Sequence, residues 1–451
     1  MSSKLRKVKL KDISSFKYGK TIRKQDIESS GDYPVFSGYQ IVGYLPNYMY
    51  KEEQLIIVCR GAGGTGDIKM SPNLCSITNL AIIISCDDSV IDKGYLYWRL
   101  ILSDTYSLRT GSAQPQITIN TLESFEIEIE PNLRKQREIA TTLFSINNKI
   151  KKNAEINQTL EQMAQALFKS WLVDFEPVKA KIAVLKAGGS QKEATLAAMT
   201  AISGKDADSL AIFEREHSEK YAELKATSEL FPCAMQESEL GTIPAGWESS
   251  SLAQKIKLIG GGTPKRSEPS YWGGDICWYS VKDAPNDSNI FVIDTIEKIT
   301  IEGLKKSSTK LLPAGTTIIS ARGTVGKLAL AGVETAMNQS CYGISGENYS
   351  GPYLTYLKVN KCIDALKRNT HGAVFDTITT NTFDTVNVVT ASKKINNEFE
   401  KLITPLFNVI KSNLISNSYL TQLRDTLLPK LLSGEISLPE AEQTVNEATH
   451  V

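Results

Sequence analysis

The chain has 451 residues, 41% hydrophobic and 22% charged, with a formal net charge of +1. That composition excludes bulk disorder, and no apolar run nears the ~18 residues that a membrane span needs. Near-neutrality, taken alone, argues against a nucleic-acid partner.

The N-terminus, Met1 to Lys7, lacks the apolar core of a secretory signal. Seven scattered cysteines with no Cys-x-x-Cys pair fit a reducing cytoplasm better than a disulfide framework. His217, His371 and His450 are too far apart to suggest a metal cluster, so no metal site is expected.

In chain order, the apolar run Leu55–Val58 reads as a strand feeding the loop Cys59-Arg60-Gly61-Ala62-Gly63-Gly64-Thr65-Gly66. A second apolar run, Leu80–Ile84, is also strand-sized. Residues Phe125–Ile129 alternate with period two and predict a half-buried strand. A helix follows with apolar positions at Ile139, Leu143, Ile146 and Ile150, polar Asn153 and Asn157, then Leu160, Ala164, Leu167 and Trp171. Seven-residue spacing over four heptads predicts a coiled-coil seam, and residues 139–171 would span roughly 50 Å. The segment 177–246 predicts helices over Ala187–Ala201 and Ser209–Ala226, and closes in a Gly- and Pro-rich linker turn at Glu239–Trp247.

The chain then repeats itself. Ala321-Arg322-Gly323-Thr324-Val325-Gly326-Lys327 follows the apolar run Thr317–Ile319, as the Arg60 loop follows its own. Thr370-His371-Gly372-Ala373 answers Arg109-Thr110-Gly111-Ser112-Ala113, and Val386–Val389 answers Phe125–Ile129. Gly261-Gly262-Thr263 answers Gly19-Lys20-Thr21 at an offset of 242 residues, whereas Arg60 and Arg322 are 262 apart. The second copy therefore carries about twenty extra residues in its early part. Its helix places Ile395, Phe399, Leu402, Leu406, Val409, Asn413, Ser416, Leu420, Leu423 and Leu427 at heptad spacing. Both seams turn polar at mid-length, so antiparallel pairing would let Asn153 and Asn157 meet Asn413 and Ser416 and fix the register.

The charge is unevenly spread. Residues 1–24 hold nine basic residues against Asp12. Residues 1–134 have 16 basic and 15 acidic, 247–394 have 17 and 13, 177–246 have 8 and 10, and 395–451 have 4 and 7. The repeated segments are basic; the linker and tail are acidic.

Glycines in the two Arg-Gly loops let backbone approach a phosphate, and Arg binds phosphate or a guanine edge bidentately. Neither loop has the spacing of a nucleotide-binding P-loop. The Asn/Asp-Pro-Pro-Tyr/Phe of an amino-methyltransferase is missing, as is a Gly-x-Ser-x-Gly elbow. Asp67-Ile68-Lys69 mimics the end of a nuclease motif without an upstream acid. No catalytic residue is expected in this chain.

Longer stretches carry a family resemblance. Ala166-Leu167-Phe168-Lys169-Ser170-Trp171-Leu172-Val173-Asp174-Phe175-Glu176-Pro177-Val178 and Ser238–Trp247 look like central-region signatures of the DNA-specificity subunit of type I restriction-modification systems. Leu423–Ile436 looks like its distal signature. Pro131–Ala140 resembles the lead-in to its first helix, with Lys135 where an acid is more usual. The resemblance runs essentially end to end. It implies an α+β chain: two mixed α/β target recognition domains (1–134 and 247–394) separated by a long antiparallel two-helix coiled coil. The helices would be 135–176 and 395–432, with a helical linker at 177–246 and a tail at 433–451. It also implies a non-catalytic, cytoplasmic subunit that docks two modification subunits and two restriction subunits on double-stranded DNA. S-adenosylmethionine, ATP and magnesium would belong to those partners, and no membrane is involved.

On this reading the DNA contacts in the first copy are Lys17, Lys20, Arg23, Arg60, Thr65, Lys69, Arg109, Ser112, Gln114 and Gln116. In the second they are Lys265, Arg266, Lys282, Arg322, Thr324, Lys327, Lys367 and Arg368. The seam contacts are Leu143, Ile146, Ile150, Asn153, Asn157, Leu160, Leu402, Leu406, Val409, Asn413, Ser416 and Leu420. Unequal copies imply a bipartite, asymmetric site. The competing reading is a coiled-coil scaffold or adaptor of a multi-protein complex without direct DNA readout.

Overall fold

The computed structural model describes residues 5–61, 64–111, 114–285, 289–370, 376–437 and 439. The chain divides into two compact units, residues 1–151 with 417–451, and residues 152–416. Each unit thus takes part of both long helices, which the boundaries expected from sequence did not divide.

In the first unit, strands Ser14–Tyr18, Ala81–Cys86, Leu55–Val58 and Ile68–Met70 form an antiparallel sheet in that order. Leu55–Val58 is buried at every position, as expected of a central strand covered on both faces. Tyr33–Phe36 pairs antiparallel with Ile41–Leu45 and parallel with Ser76–Ile77. Arg6–Lys9 pairs antiparallel with Glu126–Ile129, whose side chains alternate exposed and buried as the period-two pattern predicts. The helix Lys93–Leu102 is capped by Asp92, whose Oδ1 accepts from Tyr95 N at 2.9 Å.

The second unit repeats this plan. Lys257–Gly260, Cys341–Ser345, Thr317–Ser320 and Leu328–Ala331 form the equivalent antiparallel sheet. Trp272–Tyr279 pairs antiparallel with Lys298–Ile299 and parallel with Thr335–Met337. Glu248–Ser251 pairs antiparallel with Asn387–Thr390. The extra length of the second copy is divided between the stretch from Tyr279 to Lys298 and the stretch from Lys298 to Thr317. The first stretch holds an added strand, Phe291–Val292, parallel to Leu328–Ala331.

One close approach recurs in both copies. A Cβ on Gly19 would lie 2.1 Å from the Thr78 carbonyl oxygen, and one on Gly261 would lie 1.9 Å from that of Asn338. No side chain fits either crossing, which is why the two glycines match in the sequence.

The first long helix is Leu133–Phe168, continued by a wider turn at Lys169–Val173; the last is Lys393–Ser433. In the second unit Asn413 Nδ2 donates to Asn157 Oδ1 at 2.8 Å, and the Phe168 and Phe399 rings lie 6.3 Å apart. In the first, Asn417 Nδ2 donates to the Ile150 carbonyl at 3.2 Å and Arg424 Nη1 to Asn147 Oδ1 at 3.1 Å. Within each unit the helices therefore run in opposite directions.

The first helix buries the expected positions Leu143, Ile146, Asn153 and Asn157, with Ile150 and Leu160 half-buried. The second helix corrects the expectation. Leu402 and Val409 are 41% and 45% exposed, while Ile403, Phe407, Ile410 and Leu414 are buried. Leu406, Asn413 and Ser416 are half-buried, and Leu420 is buried. A strict heptad slips ~20° per repeat against a straight helix. Here the inward stripe instead follows Phe407, which stacks on Tyr353 at 4.4 Å and meets Phe291 at 6.4 Å.

The segment expected as two helices is four: Glu176–Lys186, Gln191–Ser203, Ala207–Glu216 and Ser218–Glu229. Gly188 and Gly204, at φ 84° and 67°, end the first two, and Ser190 and Asp206 cap the second and third. The expected linker turn is instead the hairpin of Met235–Ser238 with Gly241–Pro244. Among the described residues no helix is long and apolar enough to cross a membrane.

Candidate nucleic-acid interface

In the first unit the strand Leu55–Val58 delivers its chain into a turn built on glycine. Gly61, Gly64 and Gly66 have φ of 139°, 72° and 103°, a region that L side chains rarely adopt. Gly66 N donates to the Val58 carbonyl at 2.8 Å and closes the loop. Tyr39 lies against it, its hydroxyl donating to the Arg60 carbonyl at 2.9 Å.

Four expected contacts converge here, although they are distant in sequence. The Arg60 guanidinium stands 5.5 Å over the Tyr18 ring, with its Nε shielded and unpartnered among the described residues. Lys69 Nζ is 5.8 Å from the Tyr39 ring and 3.9 Å from Asp67 Oδ2. Arg109 lies 4.3 Å over Tyr106 and its Nε donates to the Thr65 carbonyl at 2.6 Å. The Tyr106 hydroxyl in turn donates to Asp67 Oδ1 at 2.6 Å, which raises its pKa above the usual phenol range. Gln116 runs beside Arg60 and Thr110 as backbone and is exposed, as is Gln114.

Thr65 departs from expectation. It is 2% exposed and braces the loop from within, its hydroxyl 3.5 Å from the Gly61 carbonyl oxygen. A residue under a tight glycine turn has no surface left for a ligand. Lys17 sits on its strand next to Tyr18 and so points to the other face, where it covers Tyr50 at 5.0 Å. Lys20 and Arg23 are exposed; Lys20 bridges Thr78, and Asn79 N donates to the Lys20 carbonyl at 3.0 Å. Ser112 lies outside the described residues.

In the second unit the equivalent loop follows Thr317–Ser320. Ser320 ties it: its Oγ donates to the Thr324 carbonyl and accepts from Lys327 N at 2.8 Å. Arg322, Thr324 and Lys327 are exposed around this turn. Lys367 joins them from the helix Pro352–Arg368, its stem pressed on Gly326, where a Cβ would meet Lys367 Cε at 2.3 Å. Arg368, on the last turn of that helix, is exposed.

Arg266 and Lys282 both act on Glu297. Arg266 is paired with both Glu297 carboxylate oxygens and lies 3.9 Å over Trp272 and 5.0 Å over Trp278. The guanidinium hydrogen bond holds the Glu297 carboxyl below the usual range, with a smaller contribution from Lys282. Lys265 pairs with Glu268 at 3.2 Å. Arg266, expected as a DNA contact, is thus already engaged by a carboxylate and two indole rings.

The tyrosine platforms of the first unit escaped the sequence reading. Lys17, Arg60, Lys69 and Arg109 each rest on a tyrosine. Only Lys17-Tyr18 hinted at aromatic interleaving, and the partners are brought together by strand pairing, which a linear pattern does not record. At the repeat offset of 242, Tyr18 is replaced by Gly260. Arg322 thus lacks the ring that holds Arg60. Among the described residues no three His, Cys, Asp or Glu gather as metal ligands do.

The family model for the type I restriction modification DNA specificity domain matches residues 3–162 and 244–417, most of the chain. The chain belongs to this family. A type I restriction enzyme HindI specificity subunit from Haemophilus influenzae is 34% identical over 370 residues, covering 79% of this chain and 80% of that one. An MjaIX specificity subunit from Methanocaldococcus jannaschii is 26% identical over 190 residues, 42% of this chain and 44% of that one. The crystal structure of a type I restriction-modification S subunit from M. genitalium aligns over 95% of this chain and 96% of its own, with a TM-score of 0.58 at 15% identity. That likeness shows a shared fold. The two matched segments include the Arg60 and Arg322 loops.

Proposed function

We propose that this chain is the non-catalytic, DNA-reading subunit of a type I restriction-modification complex. The first unit grips one half of a bipartite duplex site through Arg60, Lys69, Arg109 and the neighbouring Gln114 and Gln116. The second grips the other half through Arg322, Thr324, Lys327 and Lys367. Arginine and glutamine can read guanine and adenine edges, and the lysines hold phosphates. The two long helices form an antiparallel coiled-coil spacer; half-sites read by a two-fold arrangement lie a DNA turn of ~34–36 Å apart, or a multiple.

The carrying observation is the repeated sheet topology bearing unlike loops. One scaffold used twice supports two similar docking modes, while Arg60 on Tyr18 and the unstacked Arg322 support different half-sites. In this reading the modification and restriction subunits bring S-adenosylmethionine, ATP and magnesium, and much of the phosphate neutralisation that a +1 chain does not supply. Mapping methylated adenines across the genome in cells with and without this chain tests it. The expected result is a gapped, asymmetric motif lost with the chain; no such motif would favour a scaffold.

A further inference from the structure

An acid among cations that meet DNA is unfavourable by charge alone, because it faces the phosphates with the wrong sign. Asp67 is such an acid. It closes the Arg60 loop: its N–H donates to the Gly64 carbonyl at 2.8 Å and its carbonyl accepts from Val58 N at 2.9 Å. Its half-buried carboxylate lies 3.9 Å from Lys69 Nζ and is turned onto Tyr106, whose hydroxyl donates to Oδ1 at 2.6 Å.

Tyr106 is 50% exposed, yet its place is fixed. Asp67 takes the hydroxyl. The preceding Thr105 donates through its own hydroxyl to the Gly66 carbonyl at 2.7 Å. The ring lies on Gly66, where a Cβ would meet Tyr106 Cδ1 at 2.9 Å. Arg109 then stands 4.3 Å over this ring and donates from Nε to the Thr65 carbonyl at 2.6 Å. Its side chain is exposed, and its Nη groups make no hydrogen bond or ion pair with another described residue. A ring and a carbonyl thus orient a planar fork whose outer edge stays free. A fork oriented in advance loses less freedom when it binds.

We propose that Asp67 and Tyr106 are positioning residues of the first reader. The Asp67 carboxylate fixes the ring, and the ring with the Thr65 carbonyl presets the Arg109 Nη edge for a bidentate acceptor of the duplex. This rests on the DNA-reading role proposed for Arg109.

Fluorescence anisotropy of the assembled complex on a duplex carrying the methylated motif tests it. Asp67→Ala should weaken binding about fivefold although it removes a negative charge, and Asp67→Asn, which keeps the acceptor, should restore it. Tyr106→Phe should weaken binding as Asp67→Ala does, and the double variant no further, because the two act as one unit. In an Arg109→Ala background Asp67→Ala should have no effect, whereas a plain brace of the loop would still weaken the grip of Arg60 and Lys69. On a scrambled duplex, an equal loss places the acceptor on phosphate and no loss places it on a base edge; both support the positioning. Tighter binding by Asp67→Ala and Asp67→Asn alike, as charge alone predicts, or an Asp67→Ala loss that persists without Arg109, would overturn the proposal. So would wild-type affinity for Arg109→Ala beside a loss for Arg322→Ala. Wild-type affinity for both arginine variants would remove the proposed DNA-reading role as well.

Discussion

Arg322 and Arg266 occupy the same unit but differ in what already holds them. Arg266 is stacked on two tryptophans and paired with Glu297; Arg322 is exposed, with no ion pair to another described residue. A cation already neutralised has less to gain from a phosphate or a base edge. Arg322→Ala should weaken duplex binding by the assembled complex about tenfold, the effect of a lost bidentate contact of ~1–3 kcal/mol. Arg266→Ala should weaken it less. Fluorescence anisotropy at moderate salt checks both, and an unchanged affinity for Arg322→Ala would remove it from the interface. At this scale the sequence was legible for residue type and poorly legible for exposure. Arginine after a strand and before glycine marked both loops. Whether the next threonine would brace the turn, as Thr65 does, or face solvent, as Thr324 does, depends on packing from residues 40 or more positions away.

Elements were legible where a local rule dominates. Gly19 and Gly261 matched in sequence because both sit where backbone crosses backbone. Gly19→Ala and Gly261→Ala should each destabilise the unit that contains it, by about 1–3 kcal/mol for an overpacked site. Limited proteolysis of each variant would show which unit opens; a wild-type pattern in both would contradict the close approach. The helix pair allows a second test. Asn157→Leu leaves Asn413 Nδ2 without its partner and should cost about 1–3 kcal/mol, while Leu at both positions should recover most of it. Chemical denaturation of the single and double variants measures this, and a double variant as unstable as the single would contradict the pairing. The phase of the last helix was not legible. Leu402, Leu406 and Val409 are as apolar as Ile403, Phe407 and Ile410, so the sequence offered two adjacent stripes. The aromatic partners Tyr353 and Phe291, supplied by other elements, select between them. The helices of 176–229 were misplaced for a related reason: the two stretches expected, Ala187–Ala201 and Ser209–Ala226, came from composition, while the boundaries at 190 and 206 are set by the caps Ser190 and Asp206.

For the whole molecule, the duplication was the strongest signal, and the sheets repeat it strand for strand apart from Phe291–Val292. A net charge of +1 looked unfavourable for a DNA reader until the basic repeats were separated from the acidic linker and tail. What did not repeat is as informative: the added residues after Tyr279, and Gly260 in place of Tyr18. In the proposed function these differences make the two units unlike readers on like scaffolds. The most direct test exchanges residues 247–394 for the matching segment of the Haemophilus influenzae relative and maps methylated adenines in cells carrying the chimera. Two independent readers predict that one half of the gapped motif changes while the other half is retained. A motif unchanged in both halves, or changed in both, would contradict the account.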